Sequence, residues 1–116
     1  MRLMWAVMLA VGMPSPEFKV VGERIDRNGS FWGKCPKSGD DYRIEKGSST
    51  IGFVKKRGSK WEIESSGNKG LGWLNGDRIE KPSGSTWTSL SDAKKLTDGP
   101  DPVAAAMWVL RKSGKF

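Results

Sequence analysis

Histidine is absent from the 116 residues, and cysteine occurs once, at Cys35. Without histidine the commonest general base is missing, and with it the Ser-His-Asp and Cys-His arrangements of nucleophilic catalysis. A single cysteine excludes an intramolecular disulfide, and a zinc site of clustered thiolates and imidazoles has no ligands to draw on. Catalysis would have to run on carboxylates or lysines. The carboxylates Asp40, Asp41, Glu62 and Glu64 are interleaved with Lys and Arg, as on solvated strand faces, and are not set out as an acid and base pair. No enzyme signature, metal site or cofactor motif is readable, so the expectation is a non-catalytic protein with no cofactor and no small-molecule substrate. Cys35, followed by Pro36, has the character of a small, half-buried apolar residue and not of a nucleophile.

Long apolar runs are also scarce. The one strongly apolar stretch is Met1 to Met13, where Arg2, the apolar Leu3 to Val11 and the small-residue ending Ala10-Val11-Gly12 imitate a secretory signal. It is shorter than the ~15–30 residues of a signal peptide and the ~20 of a membrane span. Residues 1–16 are therefore taken as an apolar N-terminal segment that completes the core as strand or helix. A cleaved signal and a true start at Met13 are the alternatives. Residues 17–116 have the length and composition of one domain, expected in the cytoplasm, with secretion following only from the signal reading.

What is abundant is positive charge and tryptophan. Lys and Arg number 20 against 13 Asp and Glu, a net charge of +7, and the sequence pI is about 9.8. Such a balance favours polyanionic partners, nucleic acid or an anionic membrane surface, through long-range attraction and counterion release.

Alternation and turn chemistry predict strands first and helices last. Phe18 to Ile25 is a strand, Asp26-Arg27-Asn28-Gly29 carries the Asn-Gly signal of a tight hairpin, and Phe31 to Cys35 returns. Asp41 to Lys46 is a short strand. Thr50 to Lys56, Lys60 to Glu64 and Leu71 to Leu74, separated by turns at Arg57-Gly58-Ser59 and Gly67 to Gly70, form a three-stranded antiparallel meander. Asn75 to Thr86 is rich in Gly, Pro and Ser, a candidate mobile loop with a short strand at Arg78-Ile79-Glu80.

Ser89 with Asp92 three residues on matches a helix capping box, with Leu90, Ala93 and Leu96 on one face. Asp101-Pro102 opens a second helix with Asp as N-cap, and Val103, Ala106, Met107 and Leu110 recur at helical spacing. The expected fold is α+β: an antiparallel sheet of hairpins and a meander, with two short C-terminal helices packed on one face. A faint repeat pairs Val21-Gly22 and Gly29-Ser30-Phe31-Trp32 with Ile51-Gly52 and Gly58-Ser59-Lys60-Trp61, so that duplicated hairpins and coincidence are both open.

The candidate binding residues gather near Gly58. Lys55, Lys56, Arg57 and Lys60 surround one hairpin turn, from which they could straddle phosphates, and Lys69, Arg24 and Arg27 would widen the patch if the hairpins lie side by side. Trp61 and Trp108 are the candidates for exposed, contact-making indoles, whereas Trp5, Trp32, Trp73 and Trp87 are assigned to the core. Glu62 and Glu64 alternate with Trp61 along the same strand; if both occupy the face opposite Trp61 they repel phosphate, which points to a basic protein partner or to an internal charge ladder.

Residues 51–96 resemble the AP2-type DNA-binding domain, in the form found in plant regulators and in the arm-binding domains of phage integrases. The resemblance lies in Ile51-Gly52-Phe53-Val54, the basic residues after it, Gly58-Ser59-Lys60-Trp61, Gly70-Leu71-Gly72-Trp73 and a helix opening at Ser89 and carrying Ala93. It implies a three-stranded sheet with one face on the helix and the other in the DNA major groove, and it implicates Lys55, Arg57, Lys60 and Trp61. The functional expectation is a small nucleic-acid-binding accessory protein, of phage or mobile-element type, with DNA as partner. The alternative is an inhibitor or adaptor that binds a host protein through exposed Trp and the 75–86 loop.

Overall fold

The structure is a computed structural model that describes residues 15–116. The apolar segment, and the signal, core and start-site readings placed on it, lie outside the described residues, apart from Ser15 and Pro16.

Eleven strands make one sheet: β1 (Phe18–Val21), β2 (Arg24–Arg27), β3 (Ser30–Lys34), β4 (Lys37–Ser38), β5 (Asp41–Lys46), β6 (Ser49–Arg57), β7 (Lys60–Ser65), β8 (Gly70–Asn75), β9 (Arg78–Glu80), β10 (Thr86–Ser89) and β11 (Thr97–Asp98). Helix α1 (Leu90–Leu96) lies between β10 and β11, and α2 (Asp101–Lys112) follows. The spatial order is β10-β9-β8-β7-β6-β5-β3-β2-β1-β11, with β4 beside β5. Every pairing is antiparallel except β1 with β11, which is parallel. The class is thus α+β, with the strands of the expected meander forming the middle of a much longer one.

Three local expectations change. Phe18 to Ile25 is not one strand, because Gly22 takes a left-handed φ of 63° and turns the chain between β1 and β2. Asn75 to Thr86 is not a mobile loop. It supplies the end of β8, then β9 and the start of β10, and the intervening turn is tied by Lys81 N–H donating to Ser85 O and Gly84 N–H donating to Lys81 O, each at 2.8 Å. The N-cap of α2 is Pro100, with no side-chain cap, so Asp101 is the first helical residue and Pro102 the second. At α1 the cap is as expected, with Ser89 Oγ accepting from Asp92 N–H at 3.2 Å. The two sequence repeats are not equivalent in space, since Gly22 lies in a turn and Gly52 within β6.

The core explains the curvature. Residues Val103 to Met107, with Val109 and Leu110, are all buried, so α2 is covered almost all round and not along one stripe. It packs on β5, β6, β7 and β8 on one side and on β11 and α1 on the other. The sheet therefore curls about this helix, and α1 bridges its two outer edges. Glycine permits the close approach at Gly52, where a Cβ would lie 2.7 Å from Leu110 Cδ2; at Gly72 the crowding is with the neighbouring strand, a Cβ there lying 2.7 Å from Glu80 O. The small side chains Ala104, Ala105 and Ala106 narrow the helix for the same purpose. Along the strands the helix-facing residues are Ile25, Ile44, Val54, Ile63, Leu74 and Ile79, all 2% exposed or less.

Successive antiparallel strands give the curled sheet two rims. The upper rim holds the turns Gly22-Glu23, Gly39-Asp40, Gly58-Ser59 and Gly76-Asp77; the lower holds Asn28-Gly29, Gly47-Ser48, Ser66 to Lys69 and Lys81 to Ser85. Helix α2 starts near the upper rim, where Gly99 abuts Val20, and ends at the lower rim, where Arg111 meets Glu17. No helix among the described residues is long and apolar enough to cross a membrane.

Candidate functional site

The basic hairpin at Gly58 divides its residues between two faces. Pairing sets Lys55 opposite Glu62, Lys56 opposite Trp61, and Arg57 opposite Lys60. Trp61 shares its face with buried Ile63 and Leu74, packs on the core and tilts against Tyr42 at 6.2 Å, with Lys56 Nζ 5.8 Å from its ring. Lys55, Arg57 and Lys60 point to the other face, away from the helix. Glu62 and Glu64 are on that face too.

The outer face is consequently a charge ladder. Lys55 Nζ lies 3.0 Å from Glu64 Oε1, Arg57 Nε 3.2 Å from Glu62 Oε1, and Lys60 Nζ 3.7 Å from Glu80 Oε1, while Arg78 grips Glu80 at 2.8 Å. Glu64 is 5% exposed. Burial alone would raise its pKa, but hydrogen bonds from Asn68 and Lys55 outweigh that and hold it below the ordinary carboxylate value. Glu80 is held low by Asn75 and Arg78. Trp73, assigned to the core from sequence, sits on this face between Glu62 and Glu80, with Lys60 Nζ 5.8 Å from its ring. Three of the candidate cations are therefore engaged by carboxylates, and the candidate indole is on the reverse of the sheet.

Lys69, the sixth candidate, lies at the lower rim, apart from the other five. There it joins Lys46 at the end of β5, Lys81 after β9, and Lys112 and Lys115 at the end of α2. None of these five lysines forms an ion pair among the described residues. The lower turns carry no carboxylate, whereas three of the four upper turns do. At this rim Glu17 is clamped by Arg111 through two hydrogen bonds of 2.7 and 2.8 Å and by Arg27 at 2.7 Å. The Arg111 hydrogen bonds hold the Glu17 carboxyl below its ordinary pKa, and Glu17 in turn raises that of Arg111. From Lys46 on β5 to Lys81 after β9 the arc covers four strand spacings, roughly 20 Å. Sequence reasoning missed this grouping because its members are distant in the chain; the signal that could have found it is the contrast in turn composition.

Between α1 and α2 the same rim opens into a cleft of about 320 Å³ lined by Asp92, Lys95, Leu96, Trp108, Arg111 and Lys112. Trp108, a sequence candidate, is half-buried here; it meets Trp87 edge-on at 5.2 Å, and Lys112 Nζ lies 5.4 Å from its ring centroid. Asp92 accepts from Thr88 Oγ1 at 2.7 Å and from Lys95, and these bonds keep it ionised to lower pH than usual. Elsewhere, burial pushes the Cys35 thiol up to about 11, with Glu23 adding to the rise, so at neutral pH it is a protonated core side chain.

Comparison with protein-family models, curated proteins and solved structures finds no match to this chain. The three strands of the AP2-type resemblance, β6 to β8, are packed on α2, while α1, which opens after Ser89, contacts β10, β11 and α2.

Proposed function

We propose that the chain is a small, non-catalytic nucleic-acid-binding accessory module that engages phosphates through the lysines of its lower rim. The observation that carries this reading is the gathering of Lys46, Lys69, Lys81, Lys112 and Lys115, none ion-paired among the described residues, where the turns bring no carboxylate. Cations already paired to carboxylates have little field left to offer a phosphate, whereas free lysines displace condensed counterions and draw a polyanion from a distance. The Lys55 to Lys60 hairpin is then the weaker contact, since Lys55, Arg57 and Lys60 are matched by carboxylates and only Lys56, beside the Trp61 ring, is not.

Titration of DNA and RNA, single-stranded and duplex, into the full chain over a salt series tests the reading. Binding that weakens steeply with salt and falls about 10- to 100-fold in a Lys46→Ala, Lys69→Ala, Lys81→Ala variant is expected. Absence of binding to any nucleic acid at low salt overturns it.

A second reading, attachment to a protein partner, is favoured by one observation: Val21 and Phe31, 59% and 48% exposed, lie together on the outer face beside Arg24 and Lys34. Retention of a partner from nuclease-treated lysate, abolished by Phe31→Ser, would support that reading over the first.

A further inference from the structure

We infer that the cleft between α1 and α2 is a base-binding subsite, so that the nucleic acid taken by the lower rim is single-stranded. This rests on the rim being a nucleic-acid surface and adds which form of nucleic acid it selects.

The cleft combines the two elements that a single strand requires. One is an aromatic ring: the half-buried indole of Trp108 lines the cleft, and it meets Trp87 edge to face, with the ring planes at 88°, so that the two are not stacked. The other is cationic charge beside that ring: Lys112 has no ion pair among the described residues, and Lys95 is held only by an exposed 3.4 Å contact to Asp92. Arg111, locked on Glu17, forms a fixed wall and not a mobile ligand.

A volume of about 320 Å³ is at the small end of ligand clefts, room for one ring with its sugar. A duplex keeps its base faces stacked and presents only edges and backbone, so it has nothing to place against a recessed indole. An unstacked base can enter, because every base has a π-face. Lys112 belongs to both cleft and rim, so a base seated on Trp108 leaves its flanking phosphates beside Lys112 and Lys115. Hydrogen-bond readout of sequence is not required, and modest preference among bases follows from stacking strength alone.

The test is fluorescence anisotropy of the full chain with a labelled 12-nucleotide single strand, as DNA and as RNA, and with the matched duplex, at one fixed low salt. Single strands are expected to bind at least about 10-fold tighter than duplex. Trp108→Ala should weaken single-strand binding by about 10-fold and leave duplex binding within about twofold, while Trp108→Phe restores most of the loss. Circular dichroism melts identify a variant that has merely unfolded, in which case Trp108→Leu, which keeps an apolar side chain and removes the aromatic ring, carries the comparison. Equal affinity for both forms, or equal losses on both with Trp108→Ala, overturns the subsite while leaving the phosphate-binding rim in place. No binding of either form overturns the rim as well.

Discussion

The two rims of the curled sheet are made of the same materials and differ in how charge is matched. At the upper rim a contiguous run, Lys55 to Lys60, looks like a single basic patch in sequence. The strand pleat sends its members to opposite faces, and cross-strand glutamates meet Lys55, Arg57 and Lys60. At the lower rim the lysines are scattered from Lys46 to Lys115 in sequence, yet antiparallel turns and the end of α2 bring them to one side of the molecule. Adjacency along a strand is therefore a poor guide to a charged patch, while the parity of turns along a meander is a good one.

The largest expected contrast is in binding. Replacing Lys46, Lys69 and Lys81 by Ala should lower nucleic-acid affinity about 10- to 100-fold at low salt, and replacing Lys55, Arg57 and Lys60 by less than about threefold, as read by anisotropy. Equal losses would erase the distinction between the rims. The salt dependence sharpens it next: with each lost phosphate contact the slope of log affinity against log salt should flatten by about 0.7 on a single strand, so by about two for the lower triple and hardly at all for the upper one.

Stability should differ in the same sense but more mildly. Glu17→Gln breaks the clamp of Arg27 and Arg111 and should cost about 1–3 kcal/mol in urea denaturation. Because the folded-state pKa of Glu17 lies below its unfolded value near 4.5, its contribution is complete above that pH and is lost as the pH falls through the lower, folded value. The wild-type acid limb should thus be steeper than that of the Gln variant. The smallest effect is expected for Arg57→Ala, whose guanidinium is half exposed: less than about 1 kcal/mol, shrinking further in high salt. A loss larger than that for Glu17→Gln would show the ladder to be the main electrostatic support of the fold.

Much of the architecture was legible from alternation and turn residues. The Asn28-Gly29 hairpin, β5 to β9 and the Ser89 cap follow from period-two patterning and local hydrogen-bonding chemistry, which act over a few residues. Trp32 and Trp87 were assigned to the core correctly on bulk alone. The strand β10 was not legible, because Thr86 to Ser89 follow a Gly- and Ser-rich stretch and pair only through the edge that β9 provides. Trp61 and Trp73 were exchanged between faces, since alternation fixes which residues share a face and not which face meets the helix. The encirclement of α2 was hidden for a related reason: a stripe at Val103, Ala106, Met107 and Leu110 is compatible with one covered side, and Ala104 and Ala105 are too small to announce a second.

That encirclement places the central element of the core after all eleven strands in synthesis order. Until residues near Leu110 have left the ribosome, the inner side chains of the sheet have no helix to close on, and the half-made sheet presents an apolar lining and open edges to its surroundings. Assembly of the native state is accordingly bound to the emergence of α2, and premature termination anywhere before it would yield a chain prone to association instead of a smaller folded unit.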